Sequence, residues 1–436
     1  VASMDGDLRE IMEAGLEAAD PREAVRRALS VEGGRVEAGG ETFEPERVFV
    51  LSVGKAAVAM AEAAEELLGD GLAGGLVVAK DDGADEGDLR TLEVLVASHP
   101  EPDERGVEAA RRVENLLDGL QEGDLLLALV SGGASALLAD VAEEIGIEDL
   151  KNLTQSLLKS GAAIGEINAV RKHVSTLKGG GLVRRAAPGS VAGLLLSDVV
   201  GDEPSSIASG LTAPDPTTRE DARRVIHDYG IEPPPSVSAH LDRAEETPKP
   251  GDAVFDGVLN VVVGGGRLSA SAAAEKARDL GYEPLLLSTY LTGDARDVAL
   301  TYAAIVREAL ESGNPVRPPC AIVSGGEATV VVRGDGTGGP NQEFALALAT
   351  YLDGLEGWGA FAVDTDGNDG PTDAAGGLVD GETAEGIRAG GVEPGGALAE
   401  NDAYNALKAA DALVVTGPTG TNVNDLRVAL VRGGRG

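Results

Sequence analysis

Short apolar runs that close on Ser, Gly or Asp recur along this chain, and each is followed by a stretch with helical spacing. Arg47–Val53 leads into Gly54-Lys55, residues 125–130 into Ser131-Gly132-Gly133-Ala134-Ser135, and residues 193–196 into Ser197-Asp198. Runs of this length bounded by turn residues read as strands buried on both faces. Strands that alternate with helices are joined by crossovers, so the expected class is α/β with largely parallel sheets. In an open parallel sheet, ligands bind outside the carboxyl ends of the strands. The polar residues that close each run are therefore the first place to look for chemistry.

The alternation predicts strands at residues 75–79, 92–97, 258–263, 284–287, 321–323, 328–332, 360–363 and 412–415, with helices between them. Pro233-Pro234-Pro235, Pro248 and Pro250 stand among charged residues and mark a composition shift. Two domains are expected on length as well, one over residues 1–240 and one over 251–436, with the last strands free to return to the first. Each is expected to hold a largely parallel or mixed sheet flanked by helices, with an active site in the cleft between them.

Several strand ends suggest chemistry, each against a structural alternative. Asp198 can act as a base or metal ligand at a strand end, or simply cap the next helix. Ser131-Gly132-Gly133 opening a helix can cradle an anion with backbone amides, or serve a tight turn. Ser324-Gly325-Gly326-Glu327 echoes it after residues 321–323. Lys55 at a helix start opposes the helix dipole, which calls for an anionic partner. Gly264-Gly265-Gly266 partly imitates a dinucleotide fingerprint, but Ser269 replaces the third glycine and no acid ends the strand expected at residues 284–287. Nicotinamide binding is disfavoured. The run Asp364-Thr365-Asp366-Gly367-Asn368-Asp369 fails as an EF-hand, with Asp369 at its sixth position and Ala375 at its twelfth. Asp366 and Asp369 remain magnesium candidates, against a reading as turn residues.

The chain carries 73 acidic and 36 basic residues, a net charge of −37. Such a surface repels nucleic acid and anionic membranes, so neither is an expected partner, and it suits a halophilic source. No apolar run reaches the roughly 18–20 residues of a membrane span, and the first 30 residues do not read as a signal peptide. The lone Cys320 fits a reducing cytoplasm.

Together these motifs resemble the class II glycerate kinases, the family whose C-terminal half is called the MOFRL domain. The matching stretches are residues 51–55, 99–103, 131–137, 168–180, 196–210, 324–330, 338–346, 365–376 and 416–426, in the expected order over nearly the whole chain. The resemblance implies phosphorylation of D-glycerate by ATP and Mg2+, usually to 2-phosphoglycerate. It places Lys55 and Asp198 at the catalytic positions. It implies substrate or phosphate contacts from Ser131, Gly132, Gly133, Ala134, Ser135, Asn168, Arg171, Ser324, Gly325, Gly326, Glu327 and Asn341. Two residues depart from the pattern. Pro340 stands where an Arg precedes Asn-Gln-Glu, with Arg333, Arg171 or Arg267 as replacements, and Leu211 stands for a Pro. A hydroxypyruvate reductase using NAD(P)H is the alternative enzyme reading, and a non-catalytic organic-acid-binding module is a third. A homodimer is an open expectation.

Overall fold

The computed structural model describes residues 3–81 and 89–433, which form two compact units. The first unit comprises Pro21–Ser197 and Asp202–Val263. Elements are numbered in chain order, and α1 (Met4–Ala18) belongs to the second unit. After α2 (Pro21–Ala28), strands β1 (Leu29–Glu32), β2 (Arg35–Ala38) and β3 (Glu41–Phe43) form a small antiparallel meander. A six-stranded sheet follows, made of β4 (Arg47–Val53), β5 (Leu72–Lys80), β6 (Glu93–Ala97), β7 (Asp124–Val130), β8 (Ser190–Leu196) and β9 (Val258–Gly264). Its order is β6-β5-β4-β7-β8-β9, and the ladders from β6 to β8 are all parallel. Every residue of β7 is buried, as a central parallel strand covered on both faces requires.

The helices of this unit are α3 (Ala57–Leu68), α4 (Glu104–Asp118), α5 (Ala134–Leu137), α6 (Ile147–Ser160), α7 (Ile164–His173), α8 (Gly181–Ala186), α9 (Arg219–Asp228) and α10 (Pro235–Arg243). Asp103 caps α4, its carboxylate accepting from the Gly106 amide at 3.1 Å.

The second unit runs from the N-terminal stretch to Asp20, takes in Asp198–Gly201, and resumes at Gly264. It contains α11 (Gly266–Asp279), β10 (Glu283–Asp294), α12 (Ala295–Ser312), β11 (Cys320–Thr329), α13 (Pro340–Tyr351), β12 (Trp358–Asp364), β13 (Gly376–Asp380), α14 (Thr383–Ala389), α15 (Pro394–Ala399), α16 (Ala403–Ala409), β14 (Leu413–Val414) and β15 (Asp425–Val431). Its sheet order is β10-β11-β15-β12-β13-β14. Only β10 and β11 pair in parallel; β15 lies antiparallel to both β11 and β12. Small side chains fill the core around an edge-to-face contact of Tyr302 and Phe344, with ring centroids 5.2 Å apart.

Three expectations are corrected. The run at residues 258–263 does not begin the second sheet, because β9 is an edge of the first. The last strand stays in the second unit, and the pieces of chain that change unit are instead Asp198–Gly201 and α1, whose Gly15 carbonyl accepts from Ser269 Oγ at 2.9 Å. A Cβ on Gly15 would lie 2.4 Å from a Leu426 methyl, so a glycine lets α1 approach β15. Finally, residues 321–323 and 328–332 are not two strands, since β11 passes straight through Ser324–Glu327.

Candidate active site

In the first unit, the ends of β4 and β7 interlock. The Ser131 amide donates to Val53 O and the Lys55 amide to Gly132 O, each at 2.9 Å. Ser131 Oγ accepts from the Ala56 amide at 3.1 Å, so that hydroxyl braces the two turns and is not turned toward a ligand. Gly54 has φ +127, and a Cβ there would lie 2.1 Å from Ser131 Oγ; no other residue fits. Gly133 has φ +86, and a Cβ on it would meet the His99 ring at 3.1 Å and Lys55 Cγ at 3.2 Å. His99, Lys55 and Gly133 therefore share one small surface. Lys55 is exposed, and its ammonium has no hydrogen bond or ion pair among the described residues. The helix that the Ser-Gly-Gly turn opens, α5, is a single turn holding Ala134 and Ser135.

Ser135 connects this turn to α7. Its hydroxyl lies 3.0 Å from Ser209 Oγ, which donates to Asn168 Oδ1 at 3.1 Å. Asn168 and Arg171 stand three residues apart on α7, hence on one face. Arg171 is partly buried, and burial lowers its proton affinity. No hydrogen bond or ion pair engages its guanidinium among the described residues. The neighbours of Arg171 are held differently: Lys172 pairs with Asp215 at 3.2 Å, and His173 meets Glu246 at 3.3 Å and Ala169 O at 2.7 Å. Deeper still, Lys178 and Asp140 form another buried pair.

In the second unit, the acid singled out is Asp198. Asp198 follows β8 by two residues and is partly buried. It lies close enough to Glu327 that the Glu327 carboxyl is pushed up, by burial first and then by Asp425 and Asp198. Asp425 Oδ2 accepts from the Ala328 amide at 2.8 Å, and Asp425 Oδ1 from Asn341 Nδ2 at 2.6 Å.

The Ser324–Gly326 stretch is not a strand-end cradle. It pairs with residues 425–427 of β15, and a Cβ on Gly326 would lie 2.1 Å from Leu291 O. Its glycine permits close strand approach, and Ser324 Oγ accepts from the Tyr302 hydroxyl.

Asp369 is likewise a correction. It is fully buried, and its two oxygens accept from the Asn341 and Gln342 amides at 3.0 and 2.8 Å, and from Asn341 Nδ2 at 3.2 Å. The carboxylate thus caps α13, and burial pushes it up to about 7 despite those bonds. Asp366 sits apart from that role, accepting from the Asn368 amide at 2.8 Å. Asp364, which sequence reasoning did not single out, is pushed up to about 8 by burial and then by the Asp366 charge. Among the described residues, no three or more His, Cys, Asp or Glu converge as a metal site. The chemistry still fits magnesium, which takes one or two carboxylates and finds its other oxygens on phosphate and water; Asp364 and Asp366 offer two acids whose repulsion a cation relieves.

Pro340 opens α13 as its first residue, a position that needs no amide hydrogen. Of the arginines considered in its place, Arg333 and Arg267 are exposed on the second unit. Arg427, which the sequence motifs do not point to, is wholly buried, paired with Asp425 and stacked 5.5 Å from the Phe344 ring, with Nε and Nη1 unbonded among the described residues.

Around the glycine turn before α11, one expectation is corrected, the residue that ends the next strand. A Cβ on Gly266 would lie 3.1 Å from Val423 O, so the chain's own backbone covers that turn. The strand after α11 does end in an acid, Asp294, but its carboxylate caps α12 through the Arg296 amide at 2.9 Å. Among the described residues no helix is long and apolar enough to cross a membrane.

Residues 7–242 match a family model described as a domain of unknown function, DUF4147, and residues 320–425 match the MOFRL family. D-glycerate 2-kinase of Thermotoga maritima is 43% identical, the alignment covering 97% of each chain. Glycerate 2-kinase of Pyrococcus horikoshii is 42% identical over 99% of each. A relative from Agrobacterium vitis bearing the name hydroxypyruvate reductase is 42% identical over 97% of this chain and 94% of its own. The crystal structure of a Thermotoga maritima glycerate kinase superposes with a TM-score of 0.88 at 42% identity, covering 97% of this chain and 98% of that one.

Proposed function

Because the chain belongs to the glycerate kinase family that carries the MOFRL domain, we propose that it transfers the γ-phosphoryl group of ATP to D-glycerate, giving 2-phosphoglycerate. The observation that carries this reading is Arg171. In a protein with twice as many acids as bases, a partly buried guanidinium that no hydrogen bond or ion pair engages among the described residues supports a site kept for an anion from outside. Lys55, which no hydrogen bond or ion pair engages among the described residues, lies beside the Ser131–Gly133 turn and is a second such cation.

In the reaction, a hydroxyl oxygen of glycerate forms a bond to the γ-phosphorus as the bond to the bridging oxygen of ADP breaks. Asp198 takes or orients the hydroxyl proton. Lys55 stabilises the charge on the transferring oxygens, and Arg171 with Asn168 holds the glycerate carboxylate. Magnesium would be held by Asp366 with Asp364, and it neutralises phosphate charge when bound. Asp369 stays with α13. The reductase reading has less support, since the glycine turn is covered by Val423 and Ser269 is bonded to Gly15.

The surface charge supports a high-salt working environment, and the buried, unreactive Cys320, pushed up to about 11 by burial, is consistent with the cytoplasm. The test is purified protein with ATP, magnesium and D-glycerate, the phosphate position read by 31P NMR. NADH oxidation with hydroxypyruvate and no phosphoryl transfer would overturn the assignment.

A further inference from the structure

A side-chain amide can hold a carboxylate only through its NH2 end, so something must fix which way Asn168 faces. The described residues supply it. Ser209 is buried at 2% exposure and donates to Asn168 Oδ1 at 3.1 Å. With that proton committed, the 3.0 Å contact between Ser135 and Ser209 is donated by Ser135. The Oδ1 end of the amide is thus occupied, and Nδ2 has no acceptor among the described residues. The unbonded NH2 stands on the same helix face as the unpaired Arg171 guanidinium.

The backbone at Ser209 is unusual in a way that serves this chain of bonds. Ala208, Ser209 and Gly210 have φ of 49, 55 and 70, three successive left-handed residues of which two carry a Cβ. L-residues avoid that conformation, above all in succession, and it persists only where the surroundings impose it. Here Ser209 O and Gly210 O accept from the Gly179 and Gly180 amides at 3.0 and 2.8 Å, pinning the turn to the segment that follows α7. A right-handed turn would carry the Ser209 hydroxyl elsewhere.

We propose that Ser209 is a positioning residue for substrate selectivity: relayed from Ser135, it locks the Asn168 amide so that its NH2 and the Arg171 guanidinium together receive the carboxylate of a hydroxy acid. This rests on the glycerate-kinase reading but concerns only how the acid is held. Neutral polyols gain nothing from the arrangement, so Ser209 sets the preference for a hydroxy acid over an alcohol lacking the carboxylate.

The test compares Ser209→Ala, which keeps the strained backbone, with Ser209→Gly, which relieves it; both remove the hydroxyl. A neutral hydrogen bond and the amide it orients together predict a rise of about tenfold in KM for D-glycerate in both variants. The KM for ATP and the kcat at saturation stay near wild type, and the preference for D-glycerate over glycerol falls by a similar factor. Asn168→Ala with Ser209→Ala is no worse than Asn168→Ala alone, because Ser209 acts through Asn168. Unchanged glycerate KM in both variants overturns the proposal, as does a rise for every substrate in parallel with a falling Tm, or multiplicative effects in the double variant. Calorimetric titration with D-glycerate and no nucleotide reads the same site without turnover. Glycerate binding that depends on Ser209 in a protein that transfers no phosphoryl group overturns the kinase reading and leaves this one standing; no glycerate binding overturns both.

Discussion

Asp215→Asn tests how α7 is held in place. Asp215 is fully buried, and its carboxylate accepts from Lys172 Nζ at 3.2 Å, the Thr217 amide at 3.0 Å, Thr217 Oγ1 at 2.7 Å and Thr247 Oγ1 at 2.8 Å. Burial alone would raise this carboxyl, but Lys172 and the three Thr contacts outweigh it and hold it below the usual range. The Asn variant nearly preserves shape while leaving the Lys172 ammonium, itself only 4% exposed, without its counter-charge. Breaking a buried pair from one side costs about 3–5 kcal/mol. For a unit of this size, 1 kcal/mol shifts Tm by roughly 2–4 °C, so the expected fall is roughly 6–20 °C.

Differential scanning calorimetry gives the number, with Asp242→Asn in the exposed Arg223–Asp242 pair as a control worth about 1 kcal/mol or less. Adding Lys172→Met to the Asn variant removes the stranded charge and should recover most of the loss. The pH dependence has a definite sign. A carboxyl whose folded value is depressed contributes stability above its unfolded value, and that contribution disappears as pH falls through the folded one. The wild type should therefore lose stability on acidification below the ordinary carboxylate range, and the Asn variant should lack that component. A Tm within about 3 °C of wild type, or a double variant no better than the single one, refutes the reasoning.

Asp198→Asn should lower kcat by about 10²–10⁴-fold with little change in glycerate KM; normal turnover would leave Asp198 a turn residue. Lys55→Ala should reduce kcat and weaken ATP, while an unaltered kcat would remove it from phosphoryl stabilisation. Gly54→Ala forces a Cβ to 2.1 Å from Ser131 Oγ at φ +127, so soluble expression should collapse, and a stable, active variant would contradict the interlocked turns. Between about 0.1 M and 2 M salt, Tm should rise as screening relieves repulsion among 73 acids; a flat profile counts against the high-salt reading.

What the sequence made legible is what depends on neighbours along the chain. The runs at Arg47–Val53 and residues 125–130 are strands because their own residues demand burial, and the motifs closing them fall at strand ends. The meander, too, has a signal in the sequence: Gly33-Gly34 and Gly39-Gly40, all at positive φ, are two-residue hairpin turns between alternating residues. β15 was hidden by Asp425 and Arg427, two charges in a run that is otherwise apolar and wholly buried.

Choice of partner is different in kind, because it is decided by residues far away in sequence. Nothing within Val258–Gly264 states that its sheet is the first, and nothing within Ser324–Glu327 states that β15 will run alongside and make it strand rather than turn. Asp369 resembled a cation ligand until the amides of Asn341 and Gln342, almost thirty residues earlier, took both its oxygens. The same limit applies to the site. Arg171 can be suspected from its motif, but its significance lies in having no ion pair among the described residues, and that is a property of the folded neighbourhood. Ser209 lay in plain view in a stretch of small polar residues; only its left-handed backbone and its two hydroxyl and amide neighbours, 74 and 41 residues away, distinguish it from a loop serine. A functional residue that acts by orienting another is for this reason the last to be found from sequence: its chemistry is ordinary, and its position carries all the information.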